Sequence, residues 1–285
     1  MAQTLKSWGA TIHYTIGATN STELAVLSGQ LQVTDGPLPI LDDAGLTIIG
    51  PALTHVDDIL VSSDATSVDQ LKGQTIGVIA STDPSTYLLH QLEKTHGWTS
   101  SQVHEVDLQT DANAVNQLLA HKVPAAFVAS EDLATLQSHG KYHVVATAAQ
   151  LAPSYADSFN GTTAAYAKAH ANIIEAVDLA WWHAAKIFNS DPSAWVKNAV
   201  TYIKNASTAT QVAQERKALQ AFQPWPSDPA QSAQILSLPI IQTNYTAANS
   251  AGFIKGQGVR SPSSMVDLGP WQTAAKVAAK YPNEY

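Results

Sequence analysis

Apolar and polar positions alternate most regularly between Leu71 and Leu133, and this stretch predicts strands and helices in turn. Short apolar runs, rich in β-branched residues and bounded by turn residues, predict buried strands. Leucines and alanines at helical spacing, with good capping residues before them, predict the helices. The predicted elements are a strand within 71–80, a helix from Asp83 to Gly97, a strand at Val103–Leu108, a helix beginning at Asp111 and a strand at Ala125–Ala129.

The pattern differs on either side of this stretch. Before it, short segments predict strands at Ala10–Ile16, Leu31–Thr34, Leu46–Ile49 and Ile59–Ser62, with a helix at Ser21–Leu27; Val144–Thr147 follows as a further strand. After Pro153, helical spacing predominates and the strand–helix alternation stops. The predicted helices are Ala164–Phe188, Asp191–Lys204, Thr208–Phe222, Ala230–Ala251 and Trp271–Lys280. The pattern predicts an α/β fold with a helical C-terminal tail.

Two predicted strands run into polar loops, at Ala80–Thr86 and Ser130–Asp132. A parallel sheet brings such strand ends together at one edge, where ligands bind. The first loop offers hydroxyl groups and free backbone N–H groups at a helix start, which suit an oxyanion or another polar ligand. Its candidate ligand-binding residues are Ser81, Thr82, Ser85 and Thr86. The alternative is plain helix capping by Asp83 and Ser85.

Other candidate ligand-binding residues follow from position. Ser130 and Glu131 stand at a strand end, although acids after strands are also commonly just solvated. The corresponding strand end in the first part of the chain carries Asp35, Gly36 and Pro37, for which a simple turn is the alternative. Tyr87 is a candidate for stacking on a ligand, or else packs at the helix start.

Composition narrows the class of function. A net charge of −8 leaves no basic surface to neutralise phosphates, so nucleic acid is not an expected partner. The chain has no cysteine, which excludes disulfides, thiolate metal sites and a cysteine nucleophile. None of the ten histidines has a metal-ligand pattern, so no metal is expected. No nucleophile elbow, phosphate-binding glycine loop or dinucleotide fingerprint occurs, and no cofactor is expected.

Several short motifs occur in a characteristic order. They are Leu71-Lys72-Gly73, Ser81-Thr82, Tyr87-Leu88-Leu89, Ser130-Glu131 and the segment from Asn160 to His170. This order resembles the extracytoplasmic solute-binding proteins of bacterial ABC importers, of the nitrate/sulfonate/taurine type. The resemblance covers roughly residues 10–200.

The resemblance implies a two-lobe, type II periplasmic-binding-protein-like fold. One lobe would comprise 1–66 plus 155–285 with the C-terminal helices, and the other 67–154. The family's first strand would precede residue 1, and no signal peptide is present, so we expect a mature or truncated form. Asn160 joins the candidate ligand-binding residues on the same basis. The family's acidic residues are replaced by Gln32 and Pro124 in the corresponding turns.

The function implied is that of a non-enzymatic, substrate-binding component of an ABC transporter. It would capture a sulfonate, nitrate or similar anion between its lobes, and Asp35 and Glu131 would instead favour an amine or a pyrimidine-like heterocycle. The implied partners are membrane permease subunits, the location is periplasmic or extracellular and membrane-associated, and the expected state is a monomer. The competing class is an enzyme of the same superfamily, a pyrimidine synthase or a sulfinate desulfinase, which the absence of cysteine disfavours.

Overall fold

A computed structural model describes most of the chain. The described residues are 13, 21–53, 56–80, 83–153, 155–156, 158–202, 208–222, 236–250, 252–254 and 260–281. The predicted strand at Ala10–Ile16 therefore lies outside the described residues, as do Ser81 and Thr82. Across the described ranges, no helix is long and apolar enough to cross a bilayer.

Helices and strands alternate in the first part of the chain, and helices predominate in the last. The strands are β1 Thr34–Gly36, β2 Thr47–Leu53, β3 Asp58–Ser62, β4 Thr75–Val78, β5 His104–Asp107, β6 Ala125–Ala129, β7 His143–Thr147 and β8 Ser158–Thr162. The helices are α1 Ser21–Leu27, α2 Leu38–Asp43, α3 Pro84–His96, α4 Asp111–Leu119, α5 Leu133–His139, α6 Ala148–Leu151, α7 Ala164–Ala169, α8 Ala171–Ser190, α9 Pro192–Tyr202, α10 Ala209–Phe222, α11 Leu238–Ser250 and α12 Gly269–Lys280. The 3-10 turns are Val68–Leu71, Ser130–Asp132 and Pro262–Ser264.

The chain divides into two compact units. The first unit comprises Met1–Thr54, Ala156–Trp195 and Trp225–Tyr285, and the second unit comprises His55–Tyr155 and Val196–Pro224. The predicted lobes, 1–66 plus 155–285 and 67–154, divide the chain at other residues and stay a prediction. The difference concerns β3, which pairs with β6 and β7 in the second unit, and α10, which packs on the turn at 130–132. The placement of β3 and the placement of α10 each depend on contacts with residues distant in sequence, which local sequence patterns do not reveal.

The second unit is built on a mixed five-stranded sheet in the order β5-β4-β6-β3-β7. β4 runs parallel to β5 and β6, whereas β3 runs antiparallel to β6 and β7. Helices α4 and α5 supply Ala114, Val115, Leu118 and Leu136 to a core shared with the apolar residues of β3 and β6. Burial of these side chains is the main favourable term in holding the helices to the sheet.

The first unit has an antiparallel three-stranded sheet in the order β1-β8-β2. Its largest core cluster is aromatic: Trp181 and Trp182 of α8 pack on Trp271 of α12, with the rings of Trp182 and Trp271 stacked at 5.0 Å. Trp181 also donates from Nε1 to the carbonyl oxygen of Ala52 at 3.1 Å, which fixes α8 along β2.

The structure confirms the α/β fold class and corrects two local predictions. Asp35 and Gly36 belong to β1, and Pro37 is the N-cap of α2, so these residues do not form the turn expected after a strand at Leu31–Thr34. Prolines fit the first turn of a helix because the N–H they lack would have no partner there. The predicted helix Ala164–Phe188 is two helices, α7 and α8, because His170 has φ −133° and ψ 37°.

Candidate ligand-binding site

Five strands of the second unit meet at one edge of its sheet, and polar residues adjoin four of them there. β4, β5, β6 and β7 end at this edge, and β3 begins there, since Asp58 is opposite Ala129, Ile59 is opposite Thr147 and Val78 is opposite Asp107. Along the sheet order, the polar residues are Asp107 at the end of β5, Asp83 after β4, Ser130 after β6 and Asp57 before β3. Strand ends of this kind are the usual place for ligands in open α/β sheets.

The loop between β4 and α3 uses its described hydroxyl groups internally. The carboxylate of Asp83 accepts hydrogen bonds from the backbone N–H of Ser85 at 2.9 Å and from its hydroxyl at 2.6 Å. Ser85 Oγ in turn accepts from the N–H of Ile79, and Thr86 Oγ1 donates to the carbonyl of Ala80. Ser85 and Thr86 are both buried. Asp83 therefore has the capping role that the sequence left open, and the two hydroxyls connect the start of α3 to Ile79 and Ala80.

Two carboxyl groups at this edge, those of Asp83 and Asp57, have raised pKa values. Burial raises the pKa of Asp83, hydrogen bonds from Ser85 partly offset this, and the nearby charges of Asp111 and Asp107 raise it further. Burial likewise raises the pKa of Asp57, with the charges of Asp111 and Asp132 adding to the rise. Both groups therefore favour a proton or a positive charge nearby.

The turn after β6 contains both Ser130 and Glu131. The hydroxyl of Ser130 is fully buried, and within the described parts of the chain it has no hydrogen-bond partner. Glu131 is exposed, and its carboxyl group shares a hydrogen bond with that of Asp57. A buried hydroxyl without a partner is costly in a folded protein, so Ser130 is a candidate contact for a ligand.

Tyr87 packs against another ring. Its side chain is half-buried and stacks on Tyr155 with ring centroids 4.6 Å apart, and burial raises the pKa of its hydroxyl. Tyr87 therefore packs within the second unit, which was the alternative to stacking on a ligand, and Tyr155 covers one face of its ring.

The candidate residues of the first unit lie on adjacent strands. Asp35 is opposite Asn160 in the pairing of β1 with β8, and Gly36 is the next residue of β1. Asn160 is buried and donates from Nδ2 to the carbonyl of Pro51 at 2.8 Å. The sheet therefore brings Asp35 and Asn160 together, and Pro37 follows at the start of α2.

One functional candidate was missed by the sequence analysis. Asp178 is fully buried in α8, and among the described residues neither of its carboxylate oxygens has a hydrogen-bond partner. Burial raises its pKa well above 3.8, and the charge of Glu175 adds to this rise. A Cβ atom on Gly50 would overlap Oδ1 of Asp178, so this glycine makes room for the carboxyl group. The sequence did contain a signal for this residue, because Asp178 lies at helical spacing between the apolar residues Ile174 and Trp182.

Within the described ranges, no group of three or more histidine, aspartate and glutamate side chains is arranged to hold a metal ion.

Comparison with solved structures identifies the fold. The periplasmic aliphatic sulphonate binding protein SsuA from Escherichia coli superposes with a TM-score of 0.74 at 16% identity, covering 93% of this chain and 85% of that one. A ligand-binding component of an ABC-type import system from Staphylococcus aureus, with zinc bound, gives 0.72 at 12% identity, covering 96% and 92%. A putative sulfonate-binding SsuA from Methylobacillus flagellatus gives 0.70 at 17%, covering 97% and 85%.

These likenesses define the class: the chain has the fold of type II periplasmic binding proteins. Residues 51–194 match the family described as NMT1/THI5 like, which is half of the chain. The chain therefore belongs to the NMT1/THI5-like family. A comparison with curated protein sequences gives no match.

Proposed function

We propose that this protein is the substrate-binding component of an ABC importer and that it binds a small polar molecule without converting it. Its family and its fold support this class, because two structural neighbours with this fold are described as parts of ABC transport systems. The observation that carries the proposal is the meeting of five strands at one edge of the second unit, where polar residues adjoin four of them.

The mechanism is recognition by hydrogen bonds and charge. Hydrogen bonds hold Asp83 and Ser85 at the start of α3 and connect Ser85 to Ile79, so these polar groups are preorganised. Preorganised polar groups bind more tightly because less conformational freedom is lost on binding. Ser81 and Thr82 remain candidate contacts in the same loop, as do Ser130 and Glu131 after β6.

The partners and location follow from the same class. Permease subunits in the membrane would receive the ligand, and the protein would act outside the cytoplasm, in the periplasm or at the outer face of the membrane. No catalytic step is part of the proposal, since the chain has no cysteine for the chemistry of the competing enzyme class.

The chemical class of the ligand has two candidates. Sulfonate is supported by the descriptions of two structural neighbours, and nitrate and taurine belong with it by the resemblance of the sequence. A cationic amine is supported by the perturbed carboxyl groups of Asp57 and Asp83.

A thermal-shift screen of the full chain tests the function. The screen contains sulfonates, nitrate, amines and pyrimidines, and we expect one class to raise the melting temperature by about 5 °C or more at a hundredfold excess over Kd, because binding then adds about 2.7 kcal/mol. If no class raises it, the proposed function is wrong.

A paired substitution tests where the ligand binds. Ser81→Ala together with Thr82→Ala should weaken binding of the compound found in the screen about tenfold, the loss of one or two hydrogen bonds. The melting temperature of the free protein should change by only a few degrees. Thr99→Ala with Ser101→Ala is the matched control, because these hydroxyls bond to each other on an exposed surface. Equal loss of stability and binding would mean that Ser81 and Thr82 only hold the fold.

A further inference from the structure

We propose that the second unit contains a further binding site, which takes a small neutral molecule with a carboxamide or urea group. The site is a cavity of about 180 Å³. Its lining includes Ser62, Asp64, Ala65, Gln70, Leu71 and Gln74. This cavity is separate from the strand ends at which the proposed function places its ligand, so the two sites are independent.

The cavity lies at the end of the five-stranded sheet opposite to the candidate ligand-binding edge. Ser62 ends β3, whose first residue, Asp58, lies at that edge. The five residues of β3 separate the two ends by about 13 Å. Gln74 directly precedes β4, which runs from the cavity toward the edge. A compound in this cavity would therefore not compete for the polar residues at the strand ends.

Buried residues form the base of the cavity. Leu71 and Ala65 are apolar and buried, and Ser62 is fully buried beside them. The Ser62 hydroxyl donates to the carbonyl of Pro124 at 2.7 Å and accepts from the N–H groups of Asp64 and Ala65 at 3.2 and 2.9 Å. This hydroxyl is thus fully used within the fold, and polar recognition depends on the exposed residues at the opening.

Gln70 presents a carboxamide of fixed orientation at the opening. Its Oε1 accepts from the N–H of Thr66 at 2.7 Å, from the Thr66 hydroxyl at 3.2 Å and from the N–H of Ser67 at 3.2 Å. The last of these bonds belongs to a capping box at the 3-10 turn Val68–Leu71. Within the described residues, the NH₂ group of Gln70 has no hydrogen-bond partner. Gln70 therefore offers a donor that is already oriented, since its oxygen is occupied.

The motif Leu71-Lys72-Gly73 positions a second carboxamide at the same opening. Gly73 has φ 82°, a conformation that favours glycine, and the N–H of Gln74 donates to the carbonyl of Leu71 at 2.9 Å. This turn brings Gln74 back to the cavity that Leu71 lines. The motif thereby contributes both to the apolar base and to the polar opening.

The groups at the opening favour a neutral amide over a charged ligand. A carboxamide or urea has a carbonyl that can accept from the NH₂ of Gln70 and an NH₂ that can donate to the carboxylate of Asp64. The charge of Asp64 repels a carboxylate ligand. An amidinium lacks an acceptor for the NH₂ of Gln70. The apolar base suits a hydrocarbon part, and cavities of about 150 Å³ accommodate a benzene ring.

The test is an NMR titration of the full chain with benzamide, benzoate and benzamidine, three probes of the same shape. We expect saturable binding of benzamide and no binding of benzoate or benzamidine that depends on Gln70. The compound found in the thermal-shift screen should not displace benzamide, because the strand ends lie at the other end of the sheet. No binding of benzamide, or its displacement by that compound, would overturn the site and leave the proposed function intact.

Gln70→Glu separates recognition from folding. Glutamate keeps an oxygen acceptor for Thr66 and Ser67 but lacks the NH₂ donor. We expect benzamide to bind about tenfold more weakly, while the melting temperature of the free protein changes by only a few degrees. Gln150→Glu is the matched control, because Gln150 has the same capping-box position at the start of α6. Unchanged affinity in Gln70→Glu, or equal loss in Gln150→Glu, would contradict the site.

Asp64→Asn tests the selectivity against anions with a second variant. Asparagine keeps an oxygen acceptor for the NH₂ of benzamide and removes the charge that repels benzoate. Benzamide should still bind this variant, and benzoate should now bind as well. If benzoate remains excluded from Asp64→Asn, the carboxylate does not set the selectivity and the assignment of ligand class is wrong.

Discussion

Asp178 is an unusual residue because a carboxyl group lies in the core of the first unit without a hydrogen-bond partner among the described residues. An isolated buried carboxylate is so unfavourable that the group instead keeps its proton. Gly50 provides the space for this carboxyl group on β2, since any larger residue would overlap it. Two positions of the sequence thus cooperate to accommodate an acid that contributes little to stability.

The pH dependence of stability should reveal this acid. Burial raises the pKa of Asp178 in the folded protein above its ordinary value of 3.8. At a pH between the ordinary pKa and the raised pKa, the unfolded chain has lost a proton that the folded protein keeps. The free energy of unfolding should therefore decrease as pH rises above about 4, by about 1.4 kcal/mol per pH unit until the folded pKa is reached. Asp178→Asn should remove this contribution and be more stable than the wild type at pH 7.

Urea unfolding of both proteins between pH 4 and pH 8 measures the effect. The stability advantage of Asp178→Asn should grow with pH above about 4 until the pKa of Asp178 in the folded protein is reached. Asp43→Asn serves as the control because Asp43 is an exposed residue of the same unit, on α2. A difference between Asp178→Asn and wild type that stays constant with pH would contradict a protonated Asp178.

The pairing of Gly50 with Asp178 gives a second prediction. Gly50→Ala should destabilise the protein by about 1–3 kcal/mol, because the added methyl group overlaps the buried carboxyl group. Asp178→Ala in the same chain should restore most of the loss, since the obstacle is then removed. A double-mutant cycle measured by thermal unfolding gives the coupling. Independent, additive effects would show that the two residues do not contact.

At the scale of elements, the N-terminus of α3 depends on the cap that Asp83 provides. Asp83→Ala should lower the free energy of unfolding by about 1 kcal/mol, because the N–H and hydroxyl of Ser85 lose their acceptor. Asp83→Asn keeps an acceptor and should lose much less stability. Chemical unfolding of both variants measures the difference, and equal losses in the two would show that the acceptor at this position does not stabilise α3.

Local patterns predicted elements well wherever the chain carries its own start and stop signals. The cap Asp83, Pro84 at the first position and Gly97 with φ 63° delimit α3 as the sequence predicts. The break between α7 and α8 was missed because helical spacing of apolar residues continues through His170. Helix α2 was missed because two prolines resemble a loop.

The candidate site was less predictable than the fold, for a physical reason. Ser85 and Thr86 were recognised as hydroxyls at a helix start, but whether they bond inward depends on Ile79 and Ala80 of the same loop. The buried hydroxyl of Ser130 and carboxyl group of Asp178, which have no hydrogen-bond partner among the described residues, result from packing between elements distant in sequence. A sequence shows which residues are polar, whereas only the packed fold shows which of them lack a partner.

At the scale of the whole molecule, the family and the fold are shown, and the proposal built on them is a protein that binds and releases its ligand unchanged. A binding protein and an enzyme on this fold differ in one measurable respect, which is the fate of the bound compound.

The most direct measurement is isothermal titration of the full chain with the compound found by the thermal-shift screen, followed by mass spectrometry of the recovered compound. We predict saturable binding of one molecule per chain and recovery of that molecule chemically unchanged after denaturation of the protein. A compound that is turned over, or the absence of saturable binding across the screened classes, would contradict the assignment as a substrate-binding protein.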